Sequence, residues 1–207
     1  MAPTRLELRR QPVTFTFVMV LHSVNLKHHV AAIAAPIAGI VLLCGMAAAE
    51  PVPPELLEKL RTAPQGEAGT IVREIETTWA RSGSAAMDLL LKRGRDALRA
   101  KDYKTAIDHL TALTDHAPEF AEGYHARAEA YFRAELYGPA LDDLETTLAL
   151  NPQHFHAIFG LATMMQEFGK NREAANLYRQ VLAFHPHHEN ALKALEYLKR
   201  DGIGREL

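Results

Sequence analysis

From residue 87 onward, apolar residues recur at intervals of three and four, which places them on one face of a helix. The pattern then returns at a fixed distance along the chain, because Pro118, Pro152 and Pro186 are spaced 34 residues apart. This periodicity predicts amphipathic helices arranged as internal repeats. The apolar positions of the first two repeats are Leu90, Ala97, Ile107, Leu110 and Leu113, followed by Tyr124, Tyr131, Leu141, Leu144 and Leu148.

Alignment on the prolines divides the chain into three units, 87–120, 121–154 and 155–188. Three positions are occupied by the same residue class in every unit. These repeat-defining residues are Gly94, Ala128 and Ala162 at the eighth position, Ala106, Ala140 and Ala174 at the twentieth, and Pro118, Pro152 and Pro186 at the thirty-second.

Each unit is predicted to be a helical hairpin. Small residues at the eighth and twentieth positions let two antiparallel helices approach to about 8–10 Å. The proline ends the second helix, because it lacks an amide proton and disfavours helical geometry in the residue before it. A short turn such as "AELYGP" separates the two helices.

This pattern resembles the tetratricopeptide repeat (TPR) family over residues 87–188. Tyr103 and Tyr137 match the tyrosine that precedes the family's second helix. The resemblance implies an all-α fold, a superhelix of helical hairpins known as an α-solenoid. The departures are Leu90, Tyr124 and Ile158 in place of tryptophan, Asn171 in place of the third tyrosine, and Thr147 in place of a small apolar residue.

The flanking segments are predicted to complete the array. Residues 50–86 look like a degenerate hairpin, in which Trp79 is expected to act as a packing anchor between hairpins. Residues 189–207 are interpreted as a capping helix and tail, because a terminal helix with one polar face closes a repeat array. The apolar residues expected to cover the last hairpin are Leu192, Leu195 and Leu198.

Residues 1–49 are typical of an export signal, with basic residues ahead of an apolar run and the small residues "AAA" before Glu50. We expect cleavage after Ala49, no membrane span afterwards, and a periplasmic or exported protein. Translation from Met19 would give a signal of more usual length. With this signal the chain is similar to small exported TPR proteins of Gram-negative bacteria.

Two alternatives remain for this segment. The apolar run over residues 30–46 is an uncleaved inner-membrane anchor if it spans the bilayer, which would make the protein a membrane-anchored assembly factor. Cys44 is a lipidation site if "VLLC" acts as a lipobox, although Leu43 stands where that motif prefers a small residue.

Composition narrows the function classes. Hydrophobic residues make up 48% and charged residues 23% of the 207 residues, as in a globular protein. Residues 50–207 contain all but four of the 23 Lys and Arg residues and all but one of the 25 Asp and Glu residues, giving a net charge of about −5. This acidic balance disfavours nucleic-acid binding. Because Cys44 is the only cysteine, the mature chain would form no disulfide and use no thiol chemistry.

Histidines cluster around two of the predicted turns between repeats. His154 and His156 flank the second turn, and His185, His187 and His188 surround the third. Zinc bound by imidazoles needs converging nitrogens, and no rigid ligand spacing such as HExxH is present. We therefore expect solvated turn histidines and no metal or cofactor, with a His-rich metal-binding envelope protein as the alternative.

No catalytic motif is found in the chain: it has no phosphate-binding glycine loop, no GxSxG motif and, after signal cleavage, no cysteine. The acidic pairs Asp142 and Asp143, and Glu74 and Glu76, are expected on the solvated faces of amphipathic helices. The sequence therefore predicts no catalytic residue and a protein that is not an enzyme.

The TPR resemblance implies a protein-binding role, with a partner peptide or helix lying in a groove lined by the first helix of each hairpin. In some family members a clamp of Lys and Asn residues binds a carboxylate, but the matching positions here include Leu91, Ala126 and Gly160, so no clamp is expected. The groove residues implied by the resemblance are Lys92, Arg95, Arg99, His125, Glu129, Phe132, Arg133, His156, Phe159, Thr163 and Gln166.

Charge and aromatic residues suggest what this groove binds. We expect acidic ligand residues over the basic first repeat and an apolar anchor near Phe132 and Phe159, because charges orient a ligand while buried aromatic contacts supply most of its affinity. The alternative is that Phe132 or Phe159 belongs to the core and that the arginines only solvate the surface.

Overall fold

The computed structural model describes residues 52–200. Over this range all regular structure is α-helical, as predicted, and the predictions for residues 1–49 lie outside the described part. The nine helices of the described part are α1 (Pro54–Thr62), α2 (Gln65–Trp79), α3 (Ala85–Arg99), α4 (Tyr103–His116), α5 (Ala121–Arg133), α6 (Tyr137–Leu150), α7 (Phe155–Glu167), α8 (Asn171–Phe184) and α9 (Glu189–Arg200).

Helices α3 to α8 form three hairpins, in which α3 packs on α4, α5 on α6 and α7 on α8, with neighbouring hairpins in contact. The small residues of the predicted pattern lie where the paired helices meet. A Cβ atom on Gly94 would come within 2.5 Å of Leu110 Cγ, and Ala128 and Ala162 are buried at the equivalent position. The close approach of each pair thus depends on these small side chains.

The turn inside each hairpin is closed by one residue with left-handed backbone geometry. Lys101, Glu135 and Gly169 occupy the same repeat position and have φ angles of 61°, 61° and 72°. The next residue donates its amide hydrogen to a carbonyl in the last turn of the preceding helix, as Leu136 does to Tyr131 at 2.9 Å. This bonding satisfies carbonyls that a helix end leaves free.

The prolines lie in the turns between hairpins. Each of the helices α4, α6 and α8 ends two residues before its proline. The residue between, which is Asn151 in the second repeat with φ −139° and ψ 88°, has left the helical region. This is the geometry that a following proline imposes.

Helix α9 packs on α8 as a terminal cap. Leu198 is buried and Leu195 is partly buried in the cluster formed with the third hairpin. Leu192 differs from the prediction, because 43% of its surface is exposed and Ala191 takes the buried position instead. The predicted apolar face of α9 is thus correct at Leu195 and Leu198, and differs at its first position.

The N-terminal helices α1 and α2 fold back onto the later repeats, where they contact α7 and α8. Helix α1 contacts α8, and Arg61 donates a hydrogen bond to the carbonyl of Ala183 at 3.1 Å. Trp79 is a packing residue, as expected, but its neighbours lie where the second repeat meets the third: its ring stacks on His154 with 4.1 Å between centroids and packs on Phe155. Within residues 52–200, no helix combines the length and apolar character needed to cross a bilayer.

Candidate functional site

Helices α3, α5 and α7 line one face of the array, and three adjoining pockets indent this face. The middle pocket, called the apolar pocket here, has a volume of about 190 Å³ and lies between α5 and α7. Its floor is open because Ala128 and Gly160 are small. Its other lining residues are His125, Glu129, Phe132, Arg133, Leu144, Thr163 and Met164.

The second pocket, called the basic pocket, is formed by the C-terminal ends of α3 and α5 and has a volume of about 410 Å³. It contains four cations and a single acid, Glu129. Of the cations, Lys101 was missed by sequence reasoning because it lies in the turn rather than on a helix. The lining residues are Arg95, Leu98, Arg99, Lys101, Tyr103, Glu129 and Arg133.

Several of the predicted basic residues are already paired. Lys92 and Arg99 both contact Asp96, and Arg133 lies 3.5 Å from Glu129. These pairs are exposed, so they contribute little stability and exchange readily with a ligand's charges. The basic pocket therefore keeps a positive field, weaker than the sequence count of cations implies.

The third pocket, called the composite pocket, includes residues from outside the repeats and has a volume of about 430 Å³. Helix α2 contributes Glu76 and Trp79, α3 contributes Arg95, and α7 contributes His156. Helix α5 completes the lining with Glu122, His125 and Glu129. Sequence reasoning missed Glu76 and Trp79 as groove residues, since only the docking of α2 brings them to this face.

Glu122 is a buried acid at the centre of an ionic network. Its carboxylate contacts the Arg95 guanidinium, His154 Nε2 at 2.8 Å and His125 Nδ1 at 3.3 Å. Burial alone would raise the pKa of Glu122, but the charge and hydrogen bonds of the two histidines hold it well below its usual range. Glu122 is thus a carboxylate, with Arg95 as its permanent counter-charge.

His154 is buried, whereas the sequence analysis expected a solvated turn histidine. Its Nδ1 atom accepts a hydrogen bond from the Ala157 amide at 3.2 Å and so caps the start of α7. Because Nδ1 accepts, the ring proton sits on Nε2 and is donated to Glu122. Burial and the neighbouring His125 lower the pKa of His154 to about 4, so the ring is neutral at pH 7.

Glu122, His125 and His154 also form the one three-residue group in the described chain whose ligand atoms lie within 4.8 Å of one another. The donor set does not fit a divalent cation. A metal on His154 Nε2 would move the proton to Nδ1, where it would face the Ala157 amide hydrogen. Arg95 already supplies a positive charge to the same carboxylate. The arrangement favours an ion-pair network over a metal site.

The histidines of the third turn also make structural contacts. His187 Nε2 donates to the carbonyl of Ala63 at 3.1 Å, which ties α1 to the turn. His188 Nδ1 accepts from the Ala191 amide at 3.2 Å and caps α9, repeating the role of His154. Burial and the nearby His188 lower the pKa of His185 to about 4. These histidine rings therefore take part in the packing of the turn and are not simply solvated.

Some predicted groove residues lie outside the pockets. Phe159 is partly buried and packs on Tyr178 and His188, against the cluster shared by the third hairpin and α9. Gln166 accepts a hydrogen bond from the Tyr178 hydroxyl at 2.9 Å. Of the two predicted aromatic anchors, Phe132 alone lines the apolar pocket.

Asp143 corrects another expectation. The sequence placed it with Asp142 on a solvated helix face, but Asp143 is buried and accepts two hydrogen bonds from Arg127, at 2.7 and 2.8 Å. Arg127 also donates to Thr114 at 2.7 Å. The pair joins α4, α5 and α6 behind the groove and is structural.

A scan against protein-family models finds no match for this chain. Curated relatives do match it. A TPR repeat-containing protein of Rhizobium etli is 28% identical over 132 residues, which are 64% of this chain and 65% of the relative. Human serine/threonine-protein phosphatase 5 is 31% identical over 102 residues, which are 49% of this chain and 20% of the phosphatase. The chain thus spans less than two thirds of the length of either relative.

Solved structures resemble the repeat region. The first TPR domain of Spaghetti (RPAP3), bound to the HSP90 peptide SRMEEVD, is 26% identical with a TM-score of 0.55 and covers 57% of this chain and 94% of that domain. The Arabidopsis OM64 TPR domain is 21% identical with a TM-score of 0.54 and covers 56% of this chain and 96% of that domain. The second likeness concerns the fold alone.

Proposed function

Because this chain is a tetratricopeptide repeat protein, we propose that it is a non-catalytic interaction module that binds an extended segment of a partner protein in the groove. The observation that carries the proposal is the apolar pocket between α5 and α7, which opens beside the basic pocket and shares Glu129 and Arg133 with it. Binding pockets commonly combine an apolar lining with a few polar or charged groups that orient the ligand.

The chemistry of the two pockets defines the segment. An apolar ligand side chain fills the recess beside Phe132, and an acidic ligand residue lies near Lys101 and Arg133. The Spaghetti domain binds a peptide whose last residues include two glutamates and an aspartate. This chain holds Arg95 against Glu122, so we expect a different ligand and not a carboxylate clamp.

The test is capture of a partner by the purified protein and by two variants. We expect Lys101→Glu/Arg133→Glu to lose the captured partner, because acidic side chains would repel the acidic segment. Asp142→Lys is the control, because Asp142 is exposed on α6 outside the pockets. Circular dichroism checks that both variants remain helical. Loss of the partner in the control alone would place the binding surface elsewhere.

We also propose that the protein works in the bacterial cell envelope. This proposal rests on residues 1–49, whose basic start, apolar run and small residues before Glu50 are typical of a cleaved signal. Amino-terminal sequencing of protein from the soluble envelope fraction should then begin at Glu50. A membrane-bound form that keeps Cys44 would contradict cleavage and favour the anchored alternative.

A further inference from the structure

Helix α2 forms a wall of the groove. Glu76 Oε1 lies 2.9 Å from Nε2 of His156 on α7, which links residues 80 positions apart in sequence. Leu60, Ile75 and Trp79 of the N-terminal hairpin are buried in one cluster with Phe155. These contacts place α2 beside the groove, so we expect a ligand in the groove to meet α2.

The composite pocket carries an unbalanced negative charge. Its three acids are Glu76, Glu122 and Glu129, and its single permanent cation is Arg95. Arg95 is engaged with Glu122, and Arg133 of the basic pocket lies 3.5 Å from Glu129, which leaves Glu76 as the pocket's acid with no Lys or Arg partner among the described residues. The hydrogen bond with His156 lowers the pKa of Glu76, so Glu76 is ionised at neutral pH. Glu76 and Glu129 are half exposed, at 47% and 50% of their side-chain surface, and are accessible to a ligand.

The charge of the groove therefore changes along α5, from negative at the start of the helix to positive at its end. The negative composite pocket lies at the start of the helix, around Glu122 and His125, and the basic pocket lies at its end, around Arg133. The apolar pocket touches both, through His125 and Glu129 on one side and Arg133 on the other. At a rise of 1.5 Å per residue, His125 and Arg133 are about 12 Å apart along the axis. An extended chain covers this distance in about four residues.

We infer that the composite pocket, closed by α2, receives a basic side chain of the same partner segment whose acidic residue lies in the basic pocket. This inference rests on the proposed function. The segment thus carries a Lys or Arg and an Asp or Glu about four positions apart, with an apolar residue between them. Trp79 lines the same pocket, and the face of an indole ring suits the alkyl part and the charge of such a side chain.

A random peptide library displayed on phage tests the inference, with the processed protein immobilised as bait. We expect the selected peptides to share this basic, apolar and acidic order. A selected peptide should bind Glu76→Lys at least about tenfold more weakly, and replacing its basic residue by Glu should restore binding to this variant. Glu74→Lys is the matched control, because Glu74 is an exposed acid of the same helix outside the composite pocket.

A second variant separates charge from folding. Glu76→Gln keeps a hydrogen-bonding group for His156 and removes the charge, so it should weaken the basic preference while the helical signal is retained. Peptides that depend on Phe132 and Arg133 but not on Glu76 would overturn the inference and leave the proposed function standing. Peptides indifferent to all three residues, or no selected peptide at all, would overturn both.

Discussion

Asp143 and its neighbour Asp142 are chemically identical but differ in environment. Asp143 is buried in a bidentate pair with Arg127, whereas Asp142 is exposed. Removing one partner of a buried pair costs about 3–5 kcal/mol, because the other charge is left without compensation. We expect this loss for Asp143→Ala in urea unfolding, and less than about 0.5 kcal/mol for Asp142→Ala. Equal effects would contradict the buried pair.

His154 makes stability depend on pH. Its pKa is about 4 in the folded chain and about 6.5 in an unfolded chain. Between these pH values His154 is protonated in the unfolded chain but not in the folded chain. The free energy of unfolding therefore reaches its full value above pH 6.5 and falls towards pH 4, by up to about 1.4 kcal/mol per pH unit. His154→Asn keeps a capping side chain and should flatten this slope in urea titrations. An unchanged slope would mean that other groups titrate.

The hydrogen bonds and ion pairs that individual side chains make in the site were the hardest feature to predict from the sequence. The recurrence of His154 and His188 at one repeat position is visible in the sequence, but their capping role depends on ring orientation. The sequence likewise places Arg95 in the groove without revealing that Glu122 neutralises it. Pairings between side chains on different helices leave no periodic signal, so they appear only when the helices are packed.

At the scale of elements, the turn residues Glu135 and Lys101 hold a left-handed backbone that Gly169 adopts without strain. A residue with a Cβ atom pays about 1–2 kcal/mol in this region, partly offset by the entropy that glycine adds to the unfolded chain. We expect Glu135→Gly to raise the free energy of unfolding by about 0.5–1 kcal/mol. Glu145→Gly, inside α6, should lower it by about 1 kcal/mol. Two losses would contradict the turn assignment.

The helices themselves were largely predictable. The period of small residues and prolines located α3 to α8 because it records contacts within a hairpin and between adjacent hairpins. The docking of α1 and α2 could not be predicted in the same way. An amphipathic helix shows which face it buries but not which partner covers it. Here the partners include the Ala183 carbonyl and the His187 ring, more than 100 residues away in sequence.

At the scale of the whole molecule, Trp79 joins the N-terminal hairpin to the junction of the second and third repeats. It stacks on His154 and packs against Phe155, and the hairpin and Phe155 share one buried cluster. Trp79→Ala leaves a cavity and should cost about 3–5 kcal/mol. Because the contact is with α7 rather than α3, hydrogen exchange should rise in α1, α2 and the start of α7, while α3 and α4 stay protected. Leu110→Ala, a cavity in the α3–α4 core, should give the reverse pattern. If α1 and α2 kept their protection in Trp79→Ala, the Trp79 contact would not be what holds the N-terminal hairpin in place. The hydrogen bonds of Arg61, Glu76 and His187 would then be the contacts that keep this hairpin beside the groove.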